Sequence, residues 1–473
     1  MVLLGAAAAA AVYYSFLLFS YSVLLLFGAS ITALSLCRAL LTVHRHDRRL
    51  HALNAAVHAL CIGAVIGFTA GFPRPARWGM PQERITGLYG TIANDPMTFS
   101  DGRGRLAFIV NQSVNAEEAR VSAYGQVLVL FPADYGTSLK TFGRGTQAFI
   151  EGRFIPGAEG LFAADALYMT KPASFVDQAR TSIRMQVFAW FADSAWGGLS
   201  LALILGIKDK VDTQLAQNYQ KAGSSHVLAL SGMHLSLIIA LLSLLLKRAV
   251  GLKVSAVLGA LFIVGYVYLV GDLPSLNRAA VMYLLVTYAI IMILPKKPSV
   301  FLAMSFLIQI IGEPKTGMTL SFILSYSALA GILVFGPVLS QLMKGRLPAK
   351  IAAPLSASLG AFIATAAITA GVFGILYPVG ILAGLIIVPL TEVFIIFSFL
   401  FLSFCPFPAL ANFLCPLLEL LYRSLEYTVS FFAQAPGIPV QNTQAVILIT
   451  ALLGAGIVLL KTRCTEEGKA QCL

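Results

Sequence analysis

The chain has 473 residues, of which 58% are hydrophobic and only 11% are charged, and its formal net charge is +12. Soluble globular domains carry about 25% charged residues, so this composition excludes an ordinary soluble protein. Many apolar runs reach the roughly 20 residues that a helix needs to cross a bilayer. The sequence therefore predicts an α-helical polytopic membrane protein with about 10–12 spans and one inserted, small all-β domain.

Residues 1–71 hold two or three apolar spans, which are interrupted by the basic stretch RHDRRLH. Because short loops rich in lysine and arginine remain in the cytoplasm, this stretch is predicted to be cytoplasmic and residue 72 extracytoplasmic. The leading apolar run is too long for a cleavable signal peptide and has no basic region before it, so we expect it to stay in the membrane.

Residues 72–175 have a different pattern, in which short runs of alternating apolar and polar residues are separated by Gly, Pro, Asn and Asp. Such spacing is typical of a small all-β barrel or sandwich. About five strands in this length suit an OB-like barrel, a fold that commonly binds nucleic acid or sugar. Residues 72–228 as a whole are predicted to lie on the extracytoplasmic side of the cytoplasmic membrane.

This module contains many aromatic residues, which single-strand binders use for base stacking, but residues 80–175 hold eight basic and nine acidic residues, a net charge of −1. A basic groove is the other usual feature of such binders. The module therefore either binds DNA through a local arginine cluster or serves another ligand, and most of its aromatic residues belong to the core. The candidate DNA-binding residues are Arg103, Arg105, Arg144 and Arg153.

Residues 176–228 mix charges with Phe and Trp, which is typical of amphipathic helices at a membrane interface. The alternative is ordinary helix packing over the mouth of the membrane domain. Apolar spans then return over residues 229–473, and two of them are predicted near 229–246 and 254–271. The basic loops KRAVGLK, PKKP and KGRLPAK all fall on the predicted cytoplasmic side.

The apolar run over residues 375–405 is too long for one straight span and contains Pro378 and Pro389. We predict two short or broken segments here, since interrupted helices are tolerated where they line a cavity. Two crossings in this region would return the end of the sequence to the cytoplasm.

The stretch SSHVLALSGMHLSLI, residues 224–238, brings polar side chains into apolar sequence. On one continuous helix, His226 and His234 would share a face, and Ser231 with His234 would share another. Polar side chains within spans usually face the bundle interior or a water-filled cavity. Two interpretations are open: a channel lining that includes Gly232, or a seam of hydrogen bonds between helices.

Two further polar stretches follow. In GDLPSLNRAAVMYLL, Asp272 and Arg278 flank Pro274 at the start of a span. A fixed arginine at a pore mouth can contact phosphate through its bidentate fork, and the alternative is a structural ion pair with Asp272. In GEPKTGMTLSFILSYSALAGIL, a loop with Glu313 precedes a span rich in hydroxyl groups, which suits close helix packing or a hydrated lining. The serines concerned are Ser321, Ser325 and Ser327.

Together these three stretches resemble the ComEC family of DNA-uptake proteins. The first, HVLALSGMHL, is similar to that family's H-L-L-A-I-S-G-L-H-V, and the second shares its Pro-x-x-x-Arg-Ala-x-x-Met through Pro274, Arg278 and Met282. The third shares an acidic–proline pair before a span like G-F-Q-L-S-F, with Ile323 in the place of glutamine. The layout of N-terminal spans and an OB-like module extends the resemblance over essentially the whole chain.

The resemblance implies a cytoplasmic-membrane channel for the inward passage of single-stranded DNA during natural transformation, with no enzymatic activity, cofactor or metal of its own. Besides DNA and membrane lipid, the implied partners are a separate nuclease, a DNA receptor and a cytoplasmic helicase or translocase, and the oligomeric state is left open. The channel-lining or structural residues are expected to be His226, Ser231, Gly232, His234, Asp272, Pro274, Arg278, Glu313, Ser321 and Ser325.

Many members of the family also carry a C-terminal metallo-β-lactamase-like domain, which we do not expect here. The string HRHD at His44–Asp47 lacks the ligand spacing of that domain and is interpreted as a basic loop.

Two other functions are compatible with the residues. A small-solute or lipid transporter would bind its cargo at the broken 375–405 segment. An intramembrane hydrolase would need Ser231 with a base and an oxyanion hole, which His234 three residues away rarely provides.

Overall fold

The computed structural model describes residues 76–98, 102–133, 142–158, 160–271 and 273–470. The predicted spans of residues 1–71, the HRHD string and Asp272 lie outside the described residues. Within the described part, a β-barrel is followed by four helices that lead into a larger helical bundle. This architecture confirms the predicted fold class, a helical membrane protein with a small inserted β domain.

The barrel is built from five long strands and one short one. They are β1 (Ile85–Ile92), β2 (Met97–Thr98), β3 (Gly104–Asn115), β4 (Arg120–Phe131), β5 (Gln147–Phe154) and β6 (Leu161–Lys171). The order β1-β5-β6-β4-β3 closes into a ring because β1 also pairs with β3. β4 and β6 pair in parallel, and this five-stranded closed arrangement is that of an OB fold.

Alternation of side chains explains the barrel. Along β5, Ala148, Ile150 and Phe154 point inward and are buried, while Phe149, Glu151 and Arg153 face outward. Gly152 lies at an irregularity in the pairing of β5 with β6. Its φ is 155°, and a Cβ there would lie 2.0 Å from the carbonyl oxygen of Ala163. Only glycine allows this approach, which tightens the curvature that closes a barrel.

Four helices connect the barrel with the bundle: α1 (Phe175–Phe191), α2 (Gly197–Leu205), α3 (Thr213–Lys221) and α4 (Ser225–Leu228). Ser174 caps α1 by accepting the N–H of Asp177 at 3.2 Å. α1 keeps an exposed apolar side, as an amphipathic helix does. All nine residues of α2 are buried, so this helix packs inside the main apolar core instead of lying at an interface, because its sequence GGLSLALIL has no charged face.

The next helix, α5 (Gly232–Val270), is broken at Gly251, where φ is 79° and ψ is 168°. Leu235 and Ile239 before the break share one core cluster with Ile263 and Tyr266 after it. Residues so far apart on a straight helix would be separated by about 40 Å, at 1.5 Å per residue. α5 is therefore an antiparallel hairpin whose turn is the basic stretch KRAVGLK, as the two predicted spans require.

The rest of the bundle consists of α6 (Pro274–Ile291), α7 (Pro298–Gly312), α8 (Leu320–Met343), α9 (Ala349–Phe373), α10 (Gly380–Phe404), α11 (Pro408–Phe432) and α12 (Thr443–Ala470). Two short strands, β7 (Ile375–Leu376) and β8 (Ile438–Pro439), pair between them. Among the described helices, five are long and apolar enough to cross a membrane, namely α5, α6, α8, α9 and α10. In this count the two limbs of the α5 hairpin are taken as one helix.

The prediction for residues 375–405 was wrong. α10 is one continuous helix although it contains Pro389. In an apolar environment a helix continues past a proline because no other conformation satisfies the neighbouring backbone groups. The β7–β8 pair joins the start of α10 to the end of α11, so α11 runs antiparallel to α10 and brings the chain back.

Candidate functional site

The stretch 224–238 is not one helix. α4 ends at Leu228, the backbone of Ala229 is extended, and Ser231, with φ −116° and ψ 165°, is the residue that precedes α5. The expectation that His226 and His234 share one helical face is therefore wrong, because an extended segment separates them. His226 is exposed, whereas His234 lies in the first turn of α5 and is fully buried.

The side chain of His234 accepts a hydrogen bond at the start of α5. Its Nδ1 accepts the backbone N–H of Ser231 at 3.4 Å, so the neutral ring carries its proton on Nε2. Among the described residues, Nε2 is buried without a hydrogen-bond partner. Ser231 and His234 are therefore bonded to each other, but the imidazole nitrogen bonds the backbone N–H of Ser231 and not its hydroxyl. A base that activates a serine nucleophile must bond the hydroxyl.

If the chain is the DNA channel that the resemblance implies, replacing Ser231 by alanine is expected to leave DNA uptake within about threefold of the parent. The reason is that the N–H that bonds His234 belongs to the backbone and survives the change. A lost N-cap side chain costs roughly 1 kcal/mol at most sites. Uptake of labelled DNA by cells that carry the variant measures this. Complete loss of uptake with a normal protein level would instead favour a hydrolase in which Ser231 reacts.

The starts of α5 and α6 are in direct contact. Ser275, in the first turn of α6, donates its hydroxyl to the carbonyl oxygen of Leu230 at 3.0 Å. A Cβ on Gly232 would lie 2.9 Å from the Cβ of Ala279 and 3.0 Å from Nη2 of Arg278. Gly232 is therefore required by close packing, and Pro274 is the first residue of α6, a position that suits proline.

Arg278 extends this contact to two further helices. Its Nη1 donates to the backbone carbonyl oxygen of Ser325 in α8, and its guanidinium carbon lies 5.8 Å from the ring centre of Tyr326. Tyr326 in turn donates its hydroxyl to Oε1 of Gln309 in α7 at 3.0 Å. Nε of Arg278 is buried and has no hydrogen-bond partner among the described residues. We call Gly232, His234, Arg278, Ser325 and Tyr326 the Arg278 cluster.

The other predicted site residues stand apart from this cluster. Glu313 follows the end of α7 and is exposed, as is Ser321 in the first turn of α8. Neither side chain makes a hydrogen bond within the described part of the chain. The predicted alternative partner of Arg278, Asp272, lies outside the described residues, so that ion pair stays a prediction.

Sequence reasoning missed a second polar centre, where α1 meets the end of α5. Arg180 is 3% exposed and donates to both carboxylate oxygens of Asp95, at 2.8 and 2.7 Å, and Arg184 lies 3.3 Å from the same carboxylate. Arg180 also donates to the carbonyl oxygen of Tyr268 at 2.6 Å, and Arg184 to that of Val270 at 2.9 Å. Two arginines four residues apart in an amphipathic helix were the available signal.

The four candidate arginines of the barrel do not form one cluster. Arg105 and Arg153 lie in one row across its outer surface, because Arg153 pairs with Ala163, Ala163 with Leu130, and Leu130 with Arg105. At about 4.8 Å per strand, these two positions are roughly 14 Å apart. Arg103 is exposed before β3, and Arg144 is exposed in the loop before β5.

An aromatic ladder on the outer surface was also missed. Tyr89, Phe149 and Tyr168 follow one another across β1, β5 and β6, with ring centres 4.4 and 6.3 Å apart and interplanar angles of 26° and 21°. The guanidinium carbon of Arg120 lies 4.5 Å from the ring centre of Tyr89 and covers its free face. Tyr168 is 52% exposed at the other end, so the ladder offers one open aromatic face.

A family model described as "Competence protein" matches residues 203–464, which include α3 to α11 and the whole Arg278 cluster. The chain is also similar to the ComE operon protein 3 of Bacillus subtilis (strain 168), with 27% identity over 150 residues. That match covers 31% of this chain and 19% of the relative's length. Because the family model matches more than half of the chain, this multi-pass membrane protein belongs to the competence protein family, which is the ComEC family.

Proposed function

We propose that the protein is a cytoplasmic-membrane channel through which a single strand of DNA enters the cell during natural transformation. The observation that carries this proposal is Arg278, a cation whose only hydrogen-bond partner in the described part of the chain is the neutral carbonyl of Ser325. A charged residue inside the membrane costs free energy and persists where function requires it. Among the described residues no carboxylate pairs with Arg278, and a passing phosphodiester would offer its guanidinium group a negative charge.

The surroundings of Arg278 suit transient binding of phosphate. α5 and α6 both begin at the cluster, and helix starts carry a partial positive charge that favours anions. His234 Nε2 adds a neutral donor that is otherwise unpartnered. Conduction requires binding that is favourable enough for entry and weak enough for release, and one cation with neutral donors meets this condition better than a cluster of lysines.

The proposed direction of transport follows from the loops. The turn of α5, the link between α6 and α7, and the link between α8 and α9 all lie at the end of the bundle opposite to the Arg278 cluster. These are the three basic loops KRAVGLK, PKKP and KGRLPAK, and basic loops favour the cytoplasm. The barrel is linked to the end of α5 through Arg180 and Arg184 of α1. It would then lie outside the cell with the cluster, and DNA would pass from the barrel side inward.

The role in uptake is tested by internalisation of labelled double-stranded DNA, with cells that lack the protein compared with cells that carry it again. We expect internalised, nuclease-resistant label to disappear without the protein, while DNA bound at the cell surface stays unchanged. Normal internalisation in the deleted cells would contradict the proposal. A nuclease, a receptor and a cytoplasmic motor belong to the proposal as partners that prepare, deliver and pull the strand.

The aromatic ladder is the part of the barrel that best suits a single strand. Bases stack on exposed aromatic faces, and each such contact contributes about 1–3 kcal/mol. Phe149 and Arg153 both lie on the outer face of β5, so a strand stacked on Tyr168 can also place a phosphate near Arg153. We therefore propose that the strand crosses this face on its way to the bundle.

Replacing Tyr168 by alanine is expected to weaken binding of single-stranded DNA by at least fivefold, the lower end of one lost stacking contact. The measurement is fluorescence anisotropy of a labelled oligonucleotide with the full-length protein in detergent. Tyr124→Ala is the matched control, because Tyr124 is 62% exposed on β4 but stands outside the ladder. Equal affinities of the two variants would contradict a binding role for the ladder.

A further inference from the structure

We infer that Arg180 and Arg184, together with Asp95, form a clamp that holds the barrel in one position above the Arg278 cluster. Asp95 belongs to the barrel, in the link between β1 and β2, whereas both arginines belong to α1. The carbonyl groups they bond belong to the end of α5. Three parts of the molecule therefore meet at two guanidinium groups.

Each partner in the clamp depends on the others. The last carbonyl groups of a helix have no partner inside it, and at the end of α5 the arginine side chains supply the donors. Two buried cations side by side would repel each other, and the carboxylate of Asp95 offsets that repulsion. Because Arg180 is only 3% exposed, water cannot replace Asp95 at low cost.

A second set of contacts fixes the same position. Asp177 Oδ1 accepts the hydroxyl of Tyr268 at 2.6 Å, so α1 and α5 are also joined one turn away from Arg180. On the barrel side, a Cβ on Gly143 would lie 3.2 Å from the Cβ of Thr181, and one on Gly145 would lie 2.9 Å from Oδ2 of Asp177. The loop before β5 therefore lies directly on α1.

The clamp also reaches the Arg278 cluster through the backbone. Gly271 follows the clamped end of α5 with a φ of 110°, and a Cβ there would lie 3.3 Å from Nη2 of Arg180. Three residues later α6 begins, and Arg278 stands in its second turn. Arg180 and Arg184 are thus positioning residues: they set where the barrel delivers a strand relative to Arg278. This consequence rests on the proposed transport of DNA, whereas the clamp itself does not.

The pH dependence of the clamp follows from Asp95. Burial opposes its ionisation, but the hydrogen bond from Arg180 and the charges of Arg184 and Arg180 outweigh burial and hold its pKa below the ordinary value. A carboxyl group with a lowered pKa stabilises the folded state fully above its unfolded pKa of about 3.9 and loses this effect as the pH falls through the folded pKa. The clamp is therefore closed throughout the physiological range.

The rate of disulfide formation between two introduced cysteines measures whether the barrel stays in its position on α1. The Gly143→Cys, Thr181→Cys pair, in a full chain whose six native cysteines are replaced by alanine, puts two thiols at the barrel–α1 contact. The Cβ separation of 3.2 Å is close to the 3.5–4.5 Å that a disulfide needs. We expect rapid cross-linking with an oxidant, and cross-linking at least tenfold slower after Asp95→Asn, which removes the charge but keeps the shape.

Uptake of labelled DNA is then measured with the same variants. Asp95→Asn is expected to reduce uptake at least tenfold at an unchanged protein level, and oxidation of the cysteine pair is expected to restore most of it, since the disulfide replaces the clamp. Glu151→Gln, an exposed barrel carboxylate, is the matched control and should change neither measurement.

Two outcomes would overturn the inference. Equal cross-linking rates with and without Asp95→Asn would show that the clamp does not hold the barrel, and this result needs no DNA. The second outcome is that Asp95→Asn slows cross-linking but the disulfide fails to restore DNA uptake. It would show that Asp95 supports uptake in some way other than by holding the barrel in position. If the parent protein imports no DNA at all, the proposed function fails while the cross-linking rates still decide on the clamp.

Discussion

Replacement of Arg278 by alanine is expected to lower the amount of internalised DNA by about two orders of magnitude. The change removes the positive charge of the cluster and leaves the carbonyl oxygen of Ser325 in α8 without its donor. Truncating one partner of a buried, charged hydrogen bond costs roughly 2–5 kcal/mol, and each 1.4 kcal/mol corresponds to a factor of ten. The measurement is nuclease-resistant label inside cells, normalised to protein in the membrane.

Two further variants make this result specific. Arg278→Lys keeps the charge but loses the planar fork that can bond Ser325 and a phosphate at once, so we expect uptake between those of the parent and the alanine variant. Arg248→Ala removes an exposed cation from the turn of α5, at the opposite end of the bundle, and should have little effect. Equal losses for Arg248→Ala and Arg278→Ala would contradict a special role of the cluster.

The barrel and the α5 hairpin could be predicted because their signals are local. Alternation with a period of two residues marks each strand, and the basic turn KRAVGLK separates two apolar runs of the right length. The helix α11 was missed because Glu419, Arg423 and Glu426 lower its hydropathy below that of a span. These charges are tolerated partly through the ion pair of Arg423 with Glu419 at 2.7 Å, four residues apart on an exposed helical face.

The polar site was predicted only in part. The motif residues Gly232 and Arg278 do meet, but the sequence holds no local signal for the break between α4 and α5, which puts His226 and His234 on different helices. That break is set by tertiary contacts, such as the bond from Ser275 to Leu230. The clamp could not be predicted, because Asp95 and Arg180 are 85 positions apart and their pairing depends on how the barrel folds.

Gly331 is a position in the bundle where a substitution is expected to destabilise the fold strongly. α8 and α9 cross there backbone to backbone: a Cβ on Gly331 would lie 2.3 Å from the carbonyl oxygen of Gly360, and one on Gly360 would lie 2.8 Å from that of Gly331. Small residues allow such close approach between membrane helices. Gly331→Leu must therefore separate the helices, at an expected cost of about 3 kcal/mol, the upper end for overpacking.

The destabilisation should also reach the Arg278 cluster, because α8 carries Ser325 and Tyr326. We expect the Gly331→Leu protein to unfold in detergent at a clearly lower temperature than the parent, and the fraction that remains folded to import DNA poorly. Gly265→Leu is the control, since a Cβ on Gly265 meets nothing within 4 Å although it too lies within a membrane helix. If both variants unfold at the same temperature, the loss of stability comes from placing leucine in a membrane helix and not from the crossing of α8 with α9. The contact between these helices would then not be what holds α8 against Arg278.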